Sequence, residues 1–229
     1  MQLTIFDLDH TLLAGDSDYL WGRFLVERGR VDAAAYEQQN QIFYDQYRNG
    51  TLDIREFCRF SFAPLAAHPL PELQRWRAQF VAEKIEPAIA PLAPRLLEKH
   101  RARGDHLMIM TATNRFITEP VAALLGVETL IATDPEFVDG RYTGALAGTP
   151  NFREGKVLRL QQWLQETGAT PTRVRFYSDS HNDLPLLRRA DEAIAVDPDD
   201  ALREEAMRNG WPVISLRGAP ADADALAAL

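Results

Sequence analysis

The chain has 229 residues, of which 46% are hydrophobic and 25% are charged, and its formal net charge is −8. A chain of this length can bury a full hydrophobic core, and the composition carries no signature of disorder. The negative charge argues against binding to nucleic acid or to an anionic membrane surface, because both would repel the protein. The composition therefore favours a globular protein that binds neither.

The single cysteine and the first residues predict where the protein is found. Cys58 has no partner for an internal disulfide, which fits a reducing compartment, and its apolar surroundings predict a buried thiol. The segment from Met1 to Phe6 has no basic leader, and no stretch reaches the roughly 18 to 20 apolar residues of a membrane helix. We therefore expect a cytoplasmic protein.

The first half of the chain changes from strand-like to helical patterning. Leu3 to Phe6 is a short apolar run that predicts a buried strand, and acidic residues follow it. From Asp16 to Glu86 the apolar residues recur at spacings of three and four, which predicts about four helices and no strand. The Asn49-Gly50 pair breaks this helical region. Thr51 or Asp53 is expected to cap the helix that follows.

After Pro87 strands and helices alternate. Asp139-Gly140 suits the turn of a hairpin. This alternation predicts a parallel sheet with helices on both faces, an α/β fold in which ligands bind at the carboxyl ends of the strands. We predict a Rossmann-like core at residues 1–15 and 87–229, an inserted all-helical cap domain at residues 16–86, and poor order in the tail from Ala219 to Leu229. The further predicted strands lie at residues 107–110, 129–132, 174–177, 193–196 and 213–216, and the predicted helices at 93–103, 115–125 and 156–166.

Polar residues follow several of these strands. Asp7 and Asp9 come after the first, where they either hold a cation or share a proton, or simply end the strand in a turn. Thr111 and Ala112 follow the second, close to a predicted helix start, where backbone N–H groups either bind an anion or are capped by a hydroxyl. Lys156 lies in a first helical turn, against the helix dipole, as a phosphate counter-charge or as an ordinary surface lysine.

Two more carboxylates follow the strand at residues 174–177. Asp179 and Asp183 flank polar residues there, and they suit a hard divalent cation or, alternatively, the cap and first turn of a helix. All of these side chains fall at the same edge of the predicted sheet. The presence of all these residues at one edge is stronger evidence for a functional site than any one of them alone.

The motifs together resemble the haloacid dehalogenase superfamily of phosphohydrolases, in the branch that includes phosphoserine phosphatases. The resemblance covers nearly the whole chain, including the position of the helical insertion. The family's first motif, DxDxT, matches Asp7-Leu8-Asp9-His10-Thr11. Its second, third and fourth motifs match Thr111, Lys156 and the pair Asp179 and Asp183.

The resemblance implies a Mg²⁺-dependent phosphatase. Asp7 would attack phosphorus and form an aspartyl-phosphate, and Asp9 would protonate the leaving group and then activate water. Asp7, the backbone carbonyl of Asp9, and Asp179 would hold Mg²⁺. An acid at Asp9 favours phosphate esters over dehalogenation, because dehalogenation has no alkoxide to protonate.

The same resemblance implies the roles of the remaining motif residues. Thr111, Ala112 and Lys156 would bind the oxygens of the transferring phosphoryl group. Asp183 would orient Lys156 or the metal shell. Asn182 is expected to reach the substrate.

Substrate preference is expected to come from the helical insertion. Asp16 falls where phosphoserine phosphatases place a glutamate that holds the substrate's amino group, and Asp18 adds to its charge. Their arginine for the substrate carboxylate is not matched, because Ser61 falls at that position. Acids without that arginine suggest a cationic amino phosphate that lacks a carboxylate, such as histidinol phosphate. The aromatic residues Tyr19, Trp21, Tyr44 and Tyr47 either stack an imidazole or fill the core of the insertion.

Three other functions stay open at this point. A phosphoserine phosphatase and a phosphotransferase would use the same covalent intermediate. A non-catalytic phosphate-binding protein is the third, although the presence of every motif residue argues against it. The expected partner is in each case a small phosphorylated metabolite, and the sequence predicts no oligomeric state.

Overall fold

A computed structural model describes residues 1–219 and 222–224. Within those residues, seven strands form one sheet in the order β4-β3-β2-β1-β5-β6-β7. Neighbouring strands are parallel, except that β3 and β4 are antiparallel. The strands are β1 (Gln2–Phe6), β2 (His106–Asn114), β3 (Thr129–Val138), β4 (Arg141–Ala147), β5 (Arg173–Ser178), β6 (Glu192–Val196) and β7 (Val213–Ile214).

This sheet confirms the predicted α/β class. The predicted strands are all present, and β2 and β3 extend beyond their predicted ranges, whereas α8 and α9 were not predicted. Most of the tail after Ala219 lies outside the described residues. The helices are α1 (Ser17–Glu27), α2 (Ala33–Arg48), α3 (Ile54–Ala67), α4 (Leu70–Phe80), α5 (Ala93–Ala102), α6 (Arg115–Leu124), α7 (Glu154–Thr167), α8 (Leu184–Leu187) and α9 (Asp200–Asn209).

The two faces of the sheet are covered by different helices, because side chains alternate along each strand. In β1, Leu3 and Ile5 pack on the face covered by α7, α8 and α9. Phe6 points to the other face, which is covered by α5, α6 and the helices of residues 16–86. Burial on both faces explains why the strands read as continuous apolar runs rather than alternating ones.

Residues 16–86, all of them described, carry four α-helices between β1 and β2. Trp21 and Phe24 of α1 pack against Phe80, and Trp21 also contacts Phe116 of α6 at 6.0 Å between ring centroids. One apolar cluster therefore includes this insertion and the side chains beneath it. The separation into a core domain (1–15 and 87–229) and a cap domain (16–86) stays a prediction.

The two connections between the insertion and the sheet run side by side. The amide of Ala14 donates to the carbonyl of Ala88 at 2.6 Å, and that of Ala90 donates to the carbonyl of Leu12 at 2.9 Å. This pairing keeps the start of α1 close to the end of β1. Asp53, as predicted, caps α3 by accepting hydrogen bonds from two backbone amides of that helix.

The hairpin predicted around Asp139-Gly140 is present and forms the edge of the sheet. Both residues have positive φ, 49° and 78°, as a type I′ turn requires. The second strand of the hairpin, β4, packs under α3. Among the described helices, none combines the length and hydrophobicity that crossing a bilayer would need.

Candidate active site

The candidate site lies at the carboxyl ends of the central strands. β1 pairs with β2 on one side and with β5 on the other. The strand order therefore reverses direction at β1, with β2 to β4 on one side and β5 to β7 on the other. Such a switch point opens a crevice in parallel sheets. Asp7 follows β1 directly, and its amide donates to the carbonyl of Tyr177 at 2.9 Å. This hydrogen bond extends the pairing of β1 with β5 and aims the Asp7 side chain into the crevice.

Lys156 lies at the floor of this crevice between two carboxylates. Its Nζ is 2.6 Å from Oδ1 of Asp7 and 2.7 Å from Oδ2 of Asp183. The same Asp183 oxygen accepts a hydrogen bond of 2.7 Å from Ser178. Burial lowers the pKa of Lys156, but the charges of Asp183 and Asp7 outweigh it and raise the pKa overall. The sequence alternative of a surface lysine is therefore wrong, since Lys156 is only 2% exposed.

A glycine sets the start of the helix that carries Lys156. A Cβ atom on Gly155 would lie 2.0 Å from the carbonyl oxygen of Pro150, so any side chain there would displace the backbone. Arg153, which precedes α7, has a φ of 51°, in the left-handed region. This tight turn directs the first turn of α7, and with it Lys156, toward β1.

Asp9 is held on both of its carboxylate oxygens. Oδ1 accepts from the amide of Ser17 at 2.6 Å. Oδ2 accepts from the hydroxyl of Thr113 at 2.7 Å and from that of Thr111 at 3.3 Å. Since His10 takes a φ of 55°, the backbone turns sharply after Asp9. Sequence reasoning placed Thr113 among the polar residues that follow the second strand but gave it no role at Asp9, although its spacing of two from Thr111 places both on one side of β2.

The anion site predicted at Thr111 and Ala112 needs one correction. β2 continues through both residues to Asn114, and α6 begins only at Arg115. Asn114 caps α6 by accepting from the amide of Ile117 at 3.2 Å. Thr111 and Ala112 therefore line the cavity from the end of a strand, and helix-start amides are not available at these two positions.

Asp179 follows β5 and is 8% exposed. Its Oδ1 accepts a hydrogen bond of 3.0 Å from Thr11. Burial raises the pKa of Asp179 well above its usual value, and the charges of Asp7 and Asp183 raise it further. Burial likewise raises the pKa of Asp7 to about 7, against the opposing effect of Lys156. Repulsion among these buried carboxylates is the condition under which a divalent cation binds favourably.

The carboxylates alone do not complete a metal shell. Among residues 1–219 and 222–224, no group of three or more His, Cys, Asp or Glu side chains is arranged to hold an ion. The predicted ligand set uses two carboxylates, Asp7 and Asp179, and the backbone carbonyl of Asp9. Hard oxygen donors of this kind suit Mg²⁺, which keeps several of its waters.

Asn182 lines the cavity, but its amide already has protein partners. Its Oδ1 accepts from Nε of Arg153 at 3.0 Å, and its Nδ2 donates to the carbonyl of Tyr47 at 3.3 Å. The Arg153 guanidinium also donates to the carbonyl of Gly50. Asn182 and Arg153 therefore join the loop between α2 and α3 to the segments that carry Asp183 and Lys156. Sequence reasoning missed Arg153, for which the local pattern gave no signal.

The helical insertion forms the other wall of the cavity, with two further carboxylates. Asp16 caps α1 by accepting from the amide of Tyr19 at 2.8 Å, and burial, with the charge of Asp9, raises its pKa to about 6. Asp18 accepts from Ser61 and Asn114. Ser61, the residue at the position of the missing arginine, thus lies against an acid.

Aromatic side chains surround this acidic wall. Tyr19, Tyr44 and Tyr47, three of the predicted four, line the cavity, whereas Trp21 is buried in the apolar cluster. The cavity has a polar floor at Lys156, and acidic and aromatic side chains line its upper part. The remaining aromatic lining comes from Phe43, Phe57 and Phe152.

This arrangement can support phosphoryl transfer. It places a carboxylate beside a buried ammonium group and a second, hydrogen-bonded carboxylate nearby. Such chemistry needs a nucleophile, charge neutralisation and a proton donor.

Comparison with known proteins agrees with this geometry. Residues 4–188 match the family described as haloacid dehalogenase-like hydrolase. The chain belongs to this family. The hydrolase is 47% identical over 219 residues to a protein of Neisseria meningitidis serogroup C (strain 8013) named histidinol-phosphatase, covering 94% of this chain and 99% of that one. The protein is an enzyme, a phosphatase of this family.

Solved structures show the same fold. A protein of unknown function from Bordetella pertussis Tohama I is 45% identical, with a TM-score of 0.89 over 94% of this chain and 98% of that one. A structure described as a phospho-aspartyl intermediate analogue of phosphoserine phosphatase is 16% identical, with a TM-score of 0.68 over 95% and 93% of the two chains. At that identity the second likeness concerns the fold alone.

Proposed function

We propose that this phosphatase is a Mg²⁺-dependent phosphomonoester hydrolase that works through an aspartyl-phosphate on Asp7, and that it acts on histidinol phosphate. The observation that carries the proposal is the position of Lys156, whose Nζ lies within 2.7 Å of both Asp7 and Asp183 at the floor of the cavity. A phosphoryl group that reaches this floor meets the nucleophile and a positive charge together.

Asp7 attacks phosphorus, so that a bond forms between its carboxylate oxygen and phosphorus while the ester P–O bond breaks. Lys156 neutralises charge on the non-bridging oxygens. Asp9 gives its proton to the leaving alkoxide, and as a carboxylate it then takes a proton from the water that cleaves the aspartyl-phosphate. Its hydrogen bonds to Thr113 and Ser17 hold it in the orientation that both steps need.

Asp7, Asp179 and the carbonyl of Asp9 would hold Mg²⁺. Both carboxylates are less than 9% exposed, and Lys156, which is shared with Asp183, does not offset their charge alone. When bound, Mg²⁺ would stabilise the negative charge of the phosphoryl oxygens. Asp183, which accepts a hydrogen bond from Ser178, orients the Lys156 ammonium group toward the phosphoryl oxygens.

The upper cavity supports histidinol phosphate. Among the described residues that line the cavity, Lys156 at the floor is the only lysine or arginine, so the carboxylate of phosphoserine would find neither residue type in the upper part. Acidic and aromatic side chains instead suit an ammonium group and an imidazole. The similarity to a protein named histidinol-phosphatase supports the same substrate. We propose that residues 16–86 act as the cap that carries this specificity and that the protein works in the cytoplasm.

Phosphate release by the purified protein tests the proposal. We expect Mg²⁺-dependent release from histidinol phosphate with a kcat/KM at least about tenfold above that for phosphoserine, a difference of about 1.4 kcal/mol. Chelation with EDTA should abolish it. Faster turnover of phosphoserine would contradict the substrate. If added alcohols captured most of the phosphoryl group, the protein would instead be a phosphotransferase.

A further inference from the structure

Asp18 is a carboxylate on the upper wall of the cavity that accepts hydrogen bonds from two side chains on other elements. It lies in the first turn of α1. Its Oδ1 accepts from the hydroxyl of Ser61 on α3 and from Nδ2 of Asn114 at the end of β2, each at 3.2 Å. Three separate elements therefore converge on one carboxylate that lines the substrate cavity.

The orientation of Asn114 is fixed by its other hydrogen bond. Its Oδ1 accepts from the amide of Ile117 and so caps α6. Because the oxygen is committed to the helix, the NH₂ group must face Asp18. Ser61 is 4% exposed, so its hydroxyl has no competing access to bulk water. Both donors bind the same oxygen of Asp18, Oδ1, and Asp18 is one of the residues that line the cavity.

Asp16 is engaged differently. Its side chain is the N-cap of α1 and accepts from the amide of Tyr19 at 2.8 Å. A cap of this kind stabilises a helix by about 1 kcal/mol, and asparagine performs it about as well as aspartate. Capping of α1 is thus a sufficient reason for an aspartate at position 16. Asp18 does not cap the helix, so its presence needs another reason.

The cavity lining is predominantly acidic. Its floor has Lys156 between Asp7 and Asp183, and its upper part has Asp9, Asp16 and Asp18 without a lysine or arginine among the described lining residues. Burial raises the pKa of Asp18 well above its usual value, and the charges of Asp16 and Asp9 add to the rise. A cationic ligand group beside Asp18 would favour its ionised form.

We propose that Asp18, rather than Asp16, binds a protonated amine of the substrate, and that Ser61 and Asn114 are positioning residues that hold Asp18 for this contact. The inference rests on the proposed function and narrows its substrate class to phosphomonoesters that carry an ammonium group and no carboxylate. In this site a serine that orients an acid occupies the place where a carboxylate-binding cation would be expected.

The test uses two phosphomonoesters that differ only in an amine, namely histidinol phosphate and the same ester with hydrogen in place of the amino group. The readout is the ratio of their kcat/KM values. A hydrogen bond to a charged group is worth about 1.5–3 kcal/mol. We therefore expect Asp18→Asn to lower the ratio about 10- to 100-fold, and Ser61→Ala to lower it about threefold.

Two aspartate-to-asparagine variants serve as comparisons. Asp16→Asn keeps the helix cap and should leave the ratio within about threefold of the unsubstituted protein. Asp32→Asn, at the exposed cap of α2, controls for the loss of a charge in the insertion. If Asp16→Asn lowered the ratio of kcat/KM values and Asp18→Asn did not, the assignment of amine binding to Asp18 would be overturned, but the proposed function would stand. Hydrolysis of neither ester by the unsubstituted protein would overturn the proposed function and this assignment with it.

Discussion

The hydroxyl group of Thr113 donates a hydrogen bond of 2.7 Å to Oδ2 of Asp9. The amide of Ser17 donates one of 2.6 Å to the other oxygen. Asp9 is thus fixed by a strand of the sheet on one side and by the start of α1 on the other. Because Ser17 at the start of α1 donates one of these hydrogen bonds, the position of the helical insertion affects the orientation of Asp9, the proposed general acid.

Thr113→Val removes this hydrogen bond and preserves the shape of the side chain. We expect kcat to fall about 2- to 10-fold, because this hydrogen bond orients the general acid and a typical hydrogen bond is worth about 0.5–1.5 kcal/mol. Thr118→Val is the matched control, since Thr118 is also buried but donates to the backbone carbonyl of Asn114, the N-cap of α6. Equal kinetic losses in the two variants would argue against a role for Thr113 at Asp9.

Lys156→Met leaves Asp7 and Asp183 without their shared cation. Removing one partner of a buried ion pair costs about 3–5 kcal/mol. We expect a loss of that size in the free energy of unfolding, measured with urea, together with loss of activity. Lys84→Met is the comparison, because Lys84 pairs with Glu27 at the surface, where an ion pair is worth at most about 1 kcal/mol. Equal losses would contradict the buried arrangement.

Gly50→Ala tests the contact between the α2–α3 loop and the catalytic segments. Gly50 has a φ of 69°, and a Cβ there would lie 3.1 Å from Nε2 of His181 and 3.3 Å from Nη2 of Arg153. We expect KM to rise several-fold as this contact is displaced. Gly29→Ala has the same backbone strain, at a φ of 61°, with no atom within 4 Å of its Cβ. If Gly29→Ala raised KM equally, backbone strain and not the contact would be responsible.

Cys58 is predicted to be unreactive in the folded protein. It is 3% exposed, and burial, together with the charge of Asp18, raises the pKa of its thiol to about 12. At pH 8 a thiol reagent such as Ellman's reagent should therefore modify it only after denaturation. Fast stoichiometric modification of the native protein would show that the thiol is accessible.

Sequence patterns predicted the strands and the edge of the sheet at which the motif residues lie together, whereas the roles of those residues stay predictions. Buried strands read as apolar runs, and the polar residues that follow them meet at one edge of a parallel sheet. The role of Thr113 could have been found from its spacing to Thr111, but the contacts of Arg153 with Gly50 and Asn182 depend on folding of distant segments. The sequence predicted Asp16 for the substrate's amino group and Asp18 only as an added charge, because only the folded chain reveals that Asp16 caps α1.

The central claim is that Asp7 is the nucleophile. Rapid acid quenching of the enzyme during turnover of a ³²P-labelled substrate with Mg²⁺, followed by peptide mapping, tests it most directly. We predict a phosphorylated peptide that contains Asp7, and no labelled protein in Asp7→Asn. Label on another residue, or an Asp7→Asn variant with unchanged turnover, would contradict the account.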